Sequence, residues 1–411
     1  MTTSRRQILL STVLAAAALL GTRGTARAEG RLTYWHPLTS QSEFAGLERI
    51  IQMFQDANAG TTVVQENIPN SEFMAKVTSA ILTQSQPDTL MVLAERVDDL
   101  VAMEGLVDLT GQVNGWERRG DFADTAWQAI TRDGKIYGIP AFTFIDLLYY
   151  RTDWFEEAGI ASPPRTMDEF AQIAEKLTDP AKGRFGYGMR GGQGGDVYMV
   201  NILRQFGALT VQDGRGVLDR PLAIEAVDFW TGLARRKLVP PSATSDSYRQ
   251  VMEGFRTGHT GMIWHHTGSL VEVTTALKPG EQVMTAMVPA GPANDYRRVS
   301  YGYNSLMSDA QADAAWQWAS FWGEAEPEIA MLEATGYFPA SAQALKDPRI
   351  ADNPIYQAAS DTLPVGEPPI SFVGSNHWRE DVVLPAMQSV MIGSATVEQA
   401  VDVMMKGLDD A

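Results

Sequence analysis

The first half of the chain alternates strand-length apolar runs with amphipathic stretches. Residues 31–35 and 62–66 are rich in β-forming side chains, and residues 88–93 form a continuous apolar run. Between them, the apolar residues of 44–56 and 73–82 recur at spacings of three and four, which is the period of a helix. Strand, helix, strand, helix and strand in this order predict a parallel sheet that is buried on both faces.

A similar alternation returns later in the chain. Residues 147–150, 186–189 and 261–264 are strand-like, whereas 167–177 and 312–321 show helical periodicity. No stretch rich in glycine, serine and proline separates two independent blocks. We therefore expect an α/β protein of two lobes that exchange the chain through short crossings.

Composition narrows the possible functions. The chain has 411 residues, a formal net charge of −17 and no cysteine. Its length exceeds the roughly 250–300 residues at which a single hydrophobic core stops growing, so two cores are expected. The acidic balance repels phosphates and argues against binding to nucleic acids or anionic lipids. Without cysteine there is no disulfide, no zinc–thiolate or iron–sulfur site and no lipid attachment through a thiol, and we expect no cofactor.

Residues 1–28 have the features of an export signal. Arg5 and Arg6 precede an apolar run, and Ala26-Arg27-Ala28 supplies the small residues of a cleavage site. The apolar run is shorter than the ~20 residues of a membrane-spanning helix. The paired arginines resemble a twin-arginine signal, with an ordinary secretory signal as the alternative. We predict cleavage near Ala28 and a periplasmic protein without a membrane anchor.

Six segments match, in order, the elements of a known family. Residues 134–140 read Gly-Lys-Ile-Tyr-Gly-Ile-Pro, and residues 335–340 read Thr-Gly-Tyr-Phe-Pro-Ala. The other four segments are 32–36, 86–92, 148–160 and 255–262. Together they resemble the carbohydrate-binding group of extracellular solute-binding proteins, the receptors of ABC importers. The chain departs from that pattern at Arg151, where the family usually has asparagine, and at Gly261, where it has alanine.

This resemblance implies a periplasmic binding protein of type II, with two Rossmann-like lobes, a ligand cleft and three hinge crossings. The N-terminal lobe is expected to comprise residues 29–140 and 300–340, and the C-terminal lobe residues 141–299 and 341–411. The crossings are expected near residues 139–143, 299–303 and 338–344. In such a receptor the lobes close around a sugar or polyol, and the closed form delivers it to an inner-membrane permease. We expect a monomer.

Sugar recognition requires flat aromatic faces and planar polar side chains, because a buried hydroxyl without a partner costs about 1–3 kcal/mol. In the resembled family these groups lie on loops that follow the strands. The substrate-binding candidates are therefore Trp35, His36, Ser40, Ser42, Glu43, Glu95, Arg96, Thr143, Phe144, Asp146, Gln193, Asp196, Trp264, His265, His266, Tyr301, Gly302, Asn304, Trp378 and Arg379. Core packing is the alternative for Trp35 and Trp378, and an exposed helix start is the alternative for Glu95 and Arg96.

Other functions stay open at this point. The sequence has no Gly-x-Ser-x-Gly nucleophile elbow and no His-Glu-x-x-His zinc helix, so we expect no catalytic residue and no metal ligand. An exported enzyme acting on carbohydrate is an alternative, because 50 acidic residues can supply a pair of carboxylates. Arg96, Arg151, Arg190 and Arg379 could instead bind an anionic solute such as a uronate, a glycerol phosphodiester or a sugar phosphate.

Overall fold

The computed structural model describes residues 30–70 and 72–409. The export signal predicted for residues 1–28 lies outside the described residues. The strands are β1 (Arg31–His36), β2 (Thr62–Asn67), β3 (Thr89–Leu93), β4 (Thr131–Arg132), β5 (Lys135–Ile136), β6 (Ile139–Tyr150), β7 (Phe185–Tyr187), β8 (Leu209–Gln212), β9 (Arg215–Leu218), β10 (Thr260–His266), β11 (Met284–Met287) and β12 (Val299–Leu306).

The helices occupy most of the sequence between the strands. They are α1 (Gln41–Ala57), α2 (Phe73–Leu82), α3 (Val97–Ala102), α4 (Thr110–Asn114), α5 (Asp124–Ile130), α6 (Thr152–Glu157), α7 (Met167–Leu177), α8 (Gly195–Gln205), α9 (Arg220–Arg235), α10 (Tyr248–Arg256), α11 (Leu270–Ala276), α12 (Ala312–Phe321), α13 (Ala325–Thr335), α14 (Pro348–Ala351), α15 (Gln357–Thr362), α16 (Ser375–His377), α17 (Leu384–Met391) and α18 (Val397–Asp409). A π-helical turn, Trp378–Val383, joins α16 to α17.

Local signals explain several of these bounds. The helices predicted over 73–82, 167–177 and 312–321 begin and end at those residues. Thr166 caps α7 by accepting a hydrogen bond from the backbone N–H of Glu169, which satisfies a group that the first helical turn leaves free. Among the described helices, none is both long enough and apolar enough to cross a membrane.

The main sheet has the strand order β2-β1-β3-β12-β6-β10-β7, and β11 also pairs with β6. β1 runs parallel to β2 and β3, which confirms the parallel arrangement predicted for the first half of the chain. β12 is antiparallel to β3 and β6. The sheet therefore combines a parallel part with antiparallel strands that carry the chain from one half to the other.

Three passages of the chain meet near Thr143. β6 pairs with β12 as far as Ile145 and with β10 from Asp146 onward. β12 begins at Val299, opposite Ile145. Phe338 and Thr143 exchange backbone hydrogen bonds of 2.6 and 3.0 Å. These contacts place β6, the start of β12 and the segment after α13 side by side, at the centre of the molecule.

Two hydrophobic clusters form the core. The first contains Tyr34, Phe54 and Trp318, and the second contains Trp230 and Trp264. β6 serves both, because successive side chains of a strand point to opposite faces: Leu147 and Tyr149 belong to the first cluster and Leu148 to the second. Full burial of a large apolar side chain contributes about 1.5–3 kcal/mol, so both clusters stabilise the sheet substantially.

Candidate ligand-binding site

The candidate site is built on loops that follow neighbouring strands. Because β1 is parallel to β2 and β3, the carboxyl ends of these strands meet at one edge of the sheet. Glu95 and Arg96 follow β3 in a short 3-10 turn, and both side chains are buried. Asn70 follows β2 and accepts a hydrogen bond from Arg96 Nη2 at 2.7 Å. This edge therefore presents a carboxylate and a guanidinium.

Arg298, one residue before β12, connects this edge with the second half of the sheet. Its guanidinium lies 3.5 Å from Glu95 Oε1 and 3.3 Å from Asp146 Oδ1. Ser300 donates to Glu95 Oε2 at 2.9 Å. All four side chains are buried, so the charges of Arg298, Glu95 and Asp146 act in a medium of low dielectric constant and must satisfy one another.

Asp146 lies where β6 passes from β12 to β10, and both of its oxygens have partners. Besides Arg298 at Oδ1, Asn201 Nδ2 donates to Oδ2 at 3.0 Å and Trp264 Nε1 donates to it at 3.1 Å. A carboxylate with this set of donors is fixed in one orientation. The crossing between the two halves is thereby tied to α8 and β10, which carry Asn201 and Trp264.

The two carboxylates beside Arg298 have pKa values shifted in opposite directions. Burial raises the pKa of Asp146, and its bond to Arg298 offsets only part of that effect. Burial also raises the pKa of Glu95, but the charges of Arg298 and Arg379 outweigh it, so that this pKa is lowered. Glu95 is thus ionised at neutral pH, and its side-chain oxygens act only as acceptors.

A third ion pair lies on the other side of the site. Asp196, in the first turn of α8, is buried and lies 3.1 Å from Arg379 Nε. Arg379 Nη2 donates to Asn376 Oδ1 at 3.1 Å. Asn376 Nδ2 in turn donates to the backbone carbonyl of Glu95 at 3.0 Å. A continuous chain of hydrogen bonds therefore runs from α8 to the loop after β3.

Aromatic side chains form a wall beside these charges. The ring of Phe144 lies 4.7 Å from that of His266 and 4.5 Å from that of Tyr337. The Tyr337 hydroxyl donates to the carboxylate of Glu43 in α1. Burial, together with the charge of Arg298, lowers the pKa of His266 to about 3, so its imidazole is neutral at physiological pH. Flat apolar faces next to planar polar groups are the chemistry that a polyhydroxylated ring requires.

Two buried nitrogen atoms of the site lack a hydrogen-bond partner within the described residues. They are Arg96 Nη1 and His265 Nε2. The other ring nitrogen of His265 is bonded to Ser269 Oγ at 2.7 Å. An unpaired buried polar group is costly; Arg96 Nη1 can only donate, whereas His265 Nε2 donates or accepts according to its tautomer.

The two sides of the site are in contact. Between them lies a cavity of about 20 Å³, which is room for about one water molecule. Its lining includes Glu95, Asn201, Arg298, Asn376 and Arg379. Glu95 and Arg298 on one side and Asn376 and Arg379 on the other therefore meet around this small space, so the two sides of the site lie close together here.

The sequence matches the family model of bacterial extracellular solute-binding proteins over residues 39–329. The chain belongs to this family. A putative binding protein of Brucella abortus is 26% identical over 357 residues, which are 84% of each chain. A putative ABC transporter periplasmic-binding protein of Escherichia coli is 22% identical and covers 98% of this chain and 97% of its own length.

Solved structures agree with the architecture. MalE3 of T. maritima, solved with maltose, superimposes with a TM-score of 0.82 at 22% identity, over 92% of this chain and 99% of that one. A solute-binding protein of Thermotoga lettingae bound to α-D-tagatose gives 0.82 at 21% identity, over 93% and 99%. The fold of this solute-binding protein is therefore the predicted one, that of a type II periplasmic binding protein.

In this solute-binding protein, about half of the predicted site residues surround the same region. Glu95, Asp146, Asp196 and Arg379 belong to the polar cluster, with Arg96 at its edge. The remaining members of the group are Glu43, Thr143, Phe144, Trp264, His265 and His266, which form its aromatic wall and the adjoining crossing. Their contact with a ligand stays a prediction.

Several candidates from the start of the chain serve the fold. Trp35 stacks under Lys76 Nζ at 4.8 Å, on the face of β1 opposite to Tyr34. His36 is buried and bonded to Gln65 at 2.6 Å. Ser40 is the N-cap of α1, where it accepts from the Glu43 N–H, and exposed Ser42 bonds to the Ser40 hydroxyl. Helix capping and strand packing account for their positions.

The candidates on β12 also have partners inside the protein. The Tyr301 hydroxyl is bonded to Thr125 at 3.0 Å, and Asn304 accepts from Tyr34 at 2.8 Å. A Cβ at Gly302 would lie 2.2 Å from the Phe142 ring, so glycine permits the close contact between β12 and β6. These three residues pack the first half of the sheet and do not reach the polar cluster.

Two further candidates differ from their expected role. Gln193 is exposed, and its backbone carbonyl accepts from Arg190 Nε at 2.7 Å. Trp378 touches the cavity but is 1% exposed, packs against Phe372 and donates from Nε1 to the carbonyl of Met404 at 2.8 Å. Core packing, the alternative stated for Trp378, therefore explains its position, and a free stacking face does not.

Sequence reasoning missed several residues that complete the site. Arg298, Ser300, Asn201, Asn376 and Tyr337 hold the predicted residues in place. Arg298 and Ser300 flank the first residue of the predicted second crossing, and Tyr337 lies within the Thr-Gly-Tyr-Phe-Pro segment, so all three positions could have been nominated. Within the described residues, no three histidine, aspartate or glutamate side chains are arranged to hold a metal ion.

Proposed function

We propose that this protein is the periplasmic receptor of an ABC importer, and that it binds a sugar or a sugar-like polyhydroxylated solute between its lobes for delivery to an inner-membrane permease. The observation that carries the proposal is the convergence of Glu95, Asp146, Asp196, Arg298 and Arg379 beside the aromatic wall. Carboxylates and guanidinium groups can each engage more than one hydroxyl, and aromatic faces cover the C–H side of a sugar ring.

The names of relatives support this class of ligand. A maltotriose-binding protein of Pyrococcus abyssi is 24% identical over 340 residues, and a mannitol-binding protein of Pseudomonas aeruginosa is 21% identical over 246 residues. The solute of this protein is accordingly a neutral sugar, a polyol or a derivative of one of them.

The proposal includes the organisation predicted from the sequence. Export through the signal at residues 1–28 places the mature chain in the periplasm, where it acts as a monomer without catalysis. The lobes are residues 29–140 with 300–340, and residues 141–299 with 341–411. Hydrogen bonds from Ala342 to Asp121 and from Arg118 to Gln343 favour a third crossing that ends a few residues after 340.

Thermal unfolding of the mature chain, from Glu29, against a panel of sugars, polyols and their derivatives tests the proposal. Binding to the native state alone raises the free energy of unfolding by about 2.7 kcal/mol at one hundred times the dissociation constant. We expect at least one member to raise the unfolding temperature and to bind with one site per chain in titration calorimetry. Recovery of a chemically altered ligand would favour the carbohydrate-active enzyme, and no binding across a broad panel would contradict the receptor.

A further inference from the structure

Arg96 is a buried cation whose contacts are all with neutral groups. The residue is 4% exposed, and its guanidinium carbon lies 4.6 Å from the ring centroid of Phe73. Nη2 donates to the amide oxygen of Asn70, while Nη1 has no hydrogen-bond partner in the described part of the chain. An unpaired N–H on a buried charged group is among the most costly defects in a protein interior.

The neighbouring carboxylates are engaged with other arginines. Glu95 is bound by Arg298, and Asp196 is bound by Arg379. Glu380, which is half-exposed, lies 3.5 Å from Arg379. Among the described residues, Arg96 has no carboxylate within ion-pair distance, although those of Glu95 and Glu380 are close enough to act on its charge.

The electrostatic balance at Arg96 favours an additional negative charge. Burial lowers the pKa of its guanidinium, the charge of Glu95 offsets this in part, and the like charge of Arg379 adds to the lowering. Arg190, which is half-buried and acts on the site through its charge on His266, donates to the backbone carbonyl of Gln193 and has no ion-pair partner in residues 30–70 and 72–409 either. Neither guanidinium group therefore forms an ion pair within the described residues.

We infer that the solute carries an acidic group, a carboxylate or a phosphate, and that this group binds Arg96. The inference rests on the proposed function, because it concerns the ligand of the same cleft. A guanidinium binds either anion through parallel N–H bonds, and Arg96 Nη1 still has both of its N–H groups free. A uronic acid or a sugar phosphate combines this group with the hydroxyls that the polar cluster can satisfy.

Titration calorimetry with matched ligands tests the inference. The probes are D-galacturonate, its methyl ester, D-galactose and D-galactose 1-phosphate, with the corresponding series from D-glucose. The methyl ester retains the ring hydroxyls and removes only the charge. Wild-type protein is expected to bind an acid at least about tenfold more tightly than its neutral counterparts, as a charge-assisted bond requires. Comparison of the affinities for D-galacturonate and D-galactose 1-phosphate shows which anion is recognised.

Substitutions of Arg96 test whether this residue causes the preference for the acid. Arg96→Gln is expected to reduce the ratio of acid affinity to methyl-ester affinity to about one, because the ionic contribution of the guanidinium is lost. Arg96→Lys retains the charge without the planar fork and is expected to keep part of the preference. Arg236→Gln, which removes an exposed arginine paired with Glu175, is the matched control and leaves the preference unchanged.

Different results would contradict the acidic ligand and the receptor function. Neutral sugars that bind as tightly as the acids, or a preference that survives in Arg96→Gln, overturn the acidic ligand and leave the receptor standing. Absence of binding by every neutral and acidic member of a broad panel overturns the receptor, and the acidic ligand falls with it. If Arg96→Gln does not fold, as judged by circular dichroism, the comparison of acid and methyl ester on the wild-type protein decides.

Discussion

Asn376 donates from Nδ2 to Asp99 Oδ2 at 2.8 Å and ties the two halves of the molecule together. The backbone N–H of Gly374 donates to the other oxygen of Asp99 at 2.9 Å. Phe372, in the same segment, is buried in the second hydrophobic cluster, whereas Val97 beside Asp99 is buried in the first. The segment 371–376 therefore joins the helix that carries Asp99 to the second hydrophobic cluster through hydrogen bonds on one side of the site.

Loss of the hydrogen bonds between Asp99 and the 371–376 segment is expected to shift the protein toward a more open arrangement. Asp99→Ala removes the acceptors of Gly374 and Asn376 together, and Asn376→Asp places a second carboxylate against Asp99. We expect both variants to show a larger radius of gyration than the wild type in small-angle X-ray scattering, because bonds that join the two halves of the molecule are lost.

A matched control exists on another helix. Asp124, like Asp99, is an acidic residue in the first turn of a helix, but it is exposed and, within the described residues, has no hydrogen bond or ion pair to the 371–376 segment. Asp124→Ala is expected to leave the scattering curve unchanged. Identical curves for the wild type, Asp99→Ala and Asn376→Asp would show that the segment does not hold the lobes closed.

Glu328 is expected to make stability depend on pH. It is buried in α13 and accepts hydrogen bonds from the backbone of Ala340 and Ser341, at the third crossing. Burial raises its pKa to about 8, despite the bonds to Ser341 and Ala340. Because the folded state then binds the proton more tightly than the unfolded state, this contribution to stability is complete below about pH 4 and is lost as pH rises to about 8.

Glu328→Gln should remove this dependence. Urea unfolding at pH 5, 6, 7 and 8 is expected to give a slope of the unfolding free energy that differs between the wild type and the variant by up to about 1.4 kcal/mol per pH unit. Parallel curves for the two proteins would mean that Glu328 does not change its protonation in this range.

Asp196→Ala is expected to weaken ligand binding by more than about 1 kcal/mol, because Arg379 loses its buried partner and the site loses a planar acceptor. Asp196→Asn retains an acceptor at the same place and should lose less. Titration calorimetry with a sugar found in the panel measures both. Unaltered affinity in a folded Asp196→Ala protein would remove this residue from the site.

His266 is expected to remain neutral from pH 5 to pH 8. Its pKa is lowered to about 3 by burial and by the charges of Arg298 and Arg190, so its imidazole should not titrate in this range. Nuclear magnetic resonance of the histidine side chains, with the signal assigned by His266→Gln, measures this. A midpoint between pH 5 and 8 would show that the ring is solvated and the aromatic wall is open.

Trp378 is expected to act through packing. Trp378→Ala should lower the free energy of unfolding by about 3–5 kcal/mol, the usual cost of deleting a large buried aromatic side chain. Trp378→Phe retains most of the volume and loses the bond to Met404, and should cost less. A Trp378→Ala protein of unchanged stability with lost binding would instead indicate a ligand-stacking role.

Short-range features of the fold follow from local sequence. Helix α7 has the bounds that its periodicity predicts, and the alternation over residues 31–93 predicts the parallel pairing of β1 with β2 and β3. These features depend on contacts within a helix or between consecutive elements, which the spacing of apolar residues specifies directly. Glu95 and Asp196 could be predicted as site residues for a similar reason: Glu95 follows a strand and Asp196 begins a helix, both at the edge where the ligand is expected.

The rest of the site depends on residues that are distant in sequence. Arg298 and Glu95 are separated by 203 positions, and Asn376 and Asp99 by 277. No local pattern indicates which arginine pairs with which carboxylate, because the choice depends on where the crossings place each strand. The same applies to Trp378, which is a flat aromatic side chain by type but is buried where the π-helical turn packs against α18.

The sequence by itself determined the fold family, the principal helices and strands of its first half, and the chemical types available at the strand ends. It did so because periodicity, capping and motif order are local properties of the chain. Only the tertiary structure decided which buried charges neutralise each other and which stay free. Arg298 and Arg379 lie within ion-pair distance of carboxylates, whereas Arg96 is buried against Phe73 and Asn70. The reason is electrostatic, because the attraction between two charges falls steeply with their distance and with solvent screening.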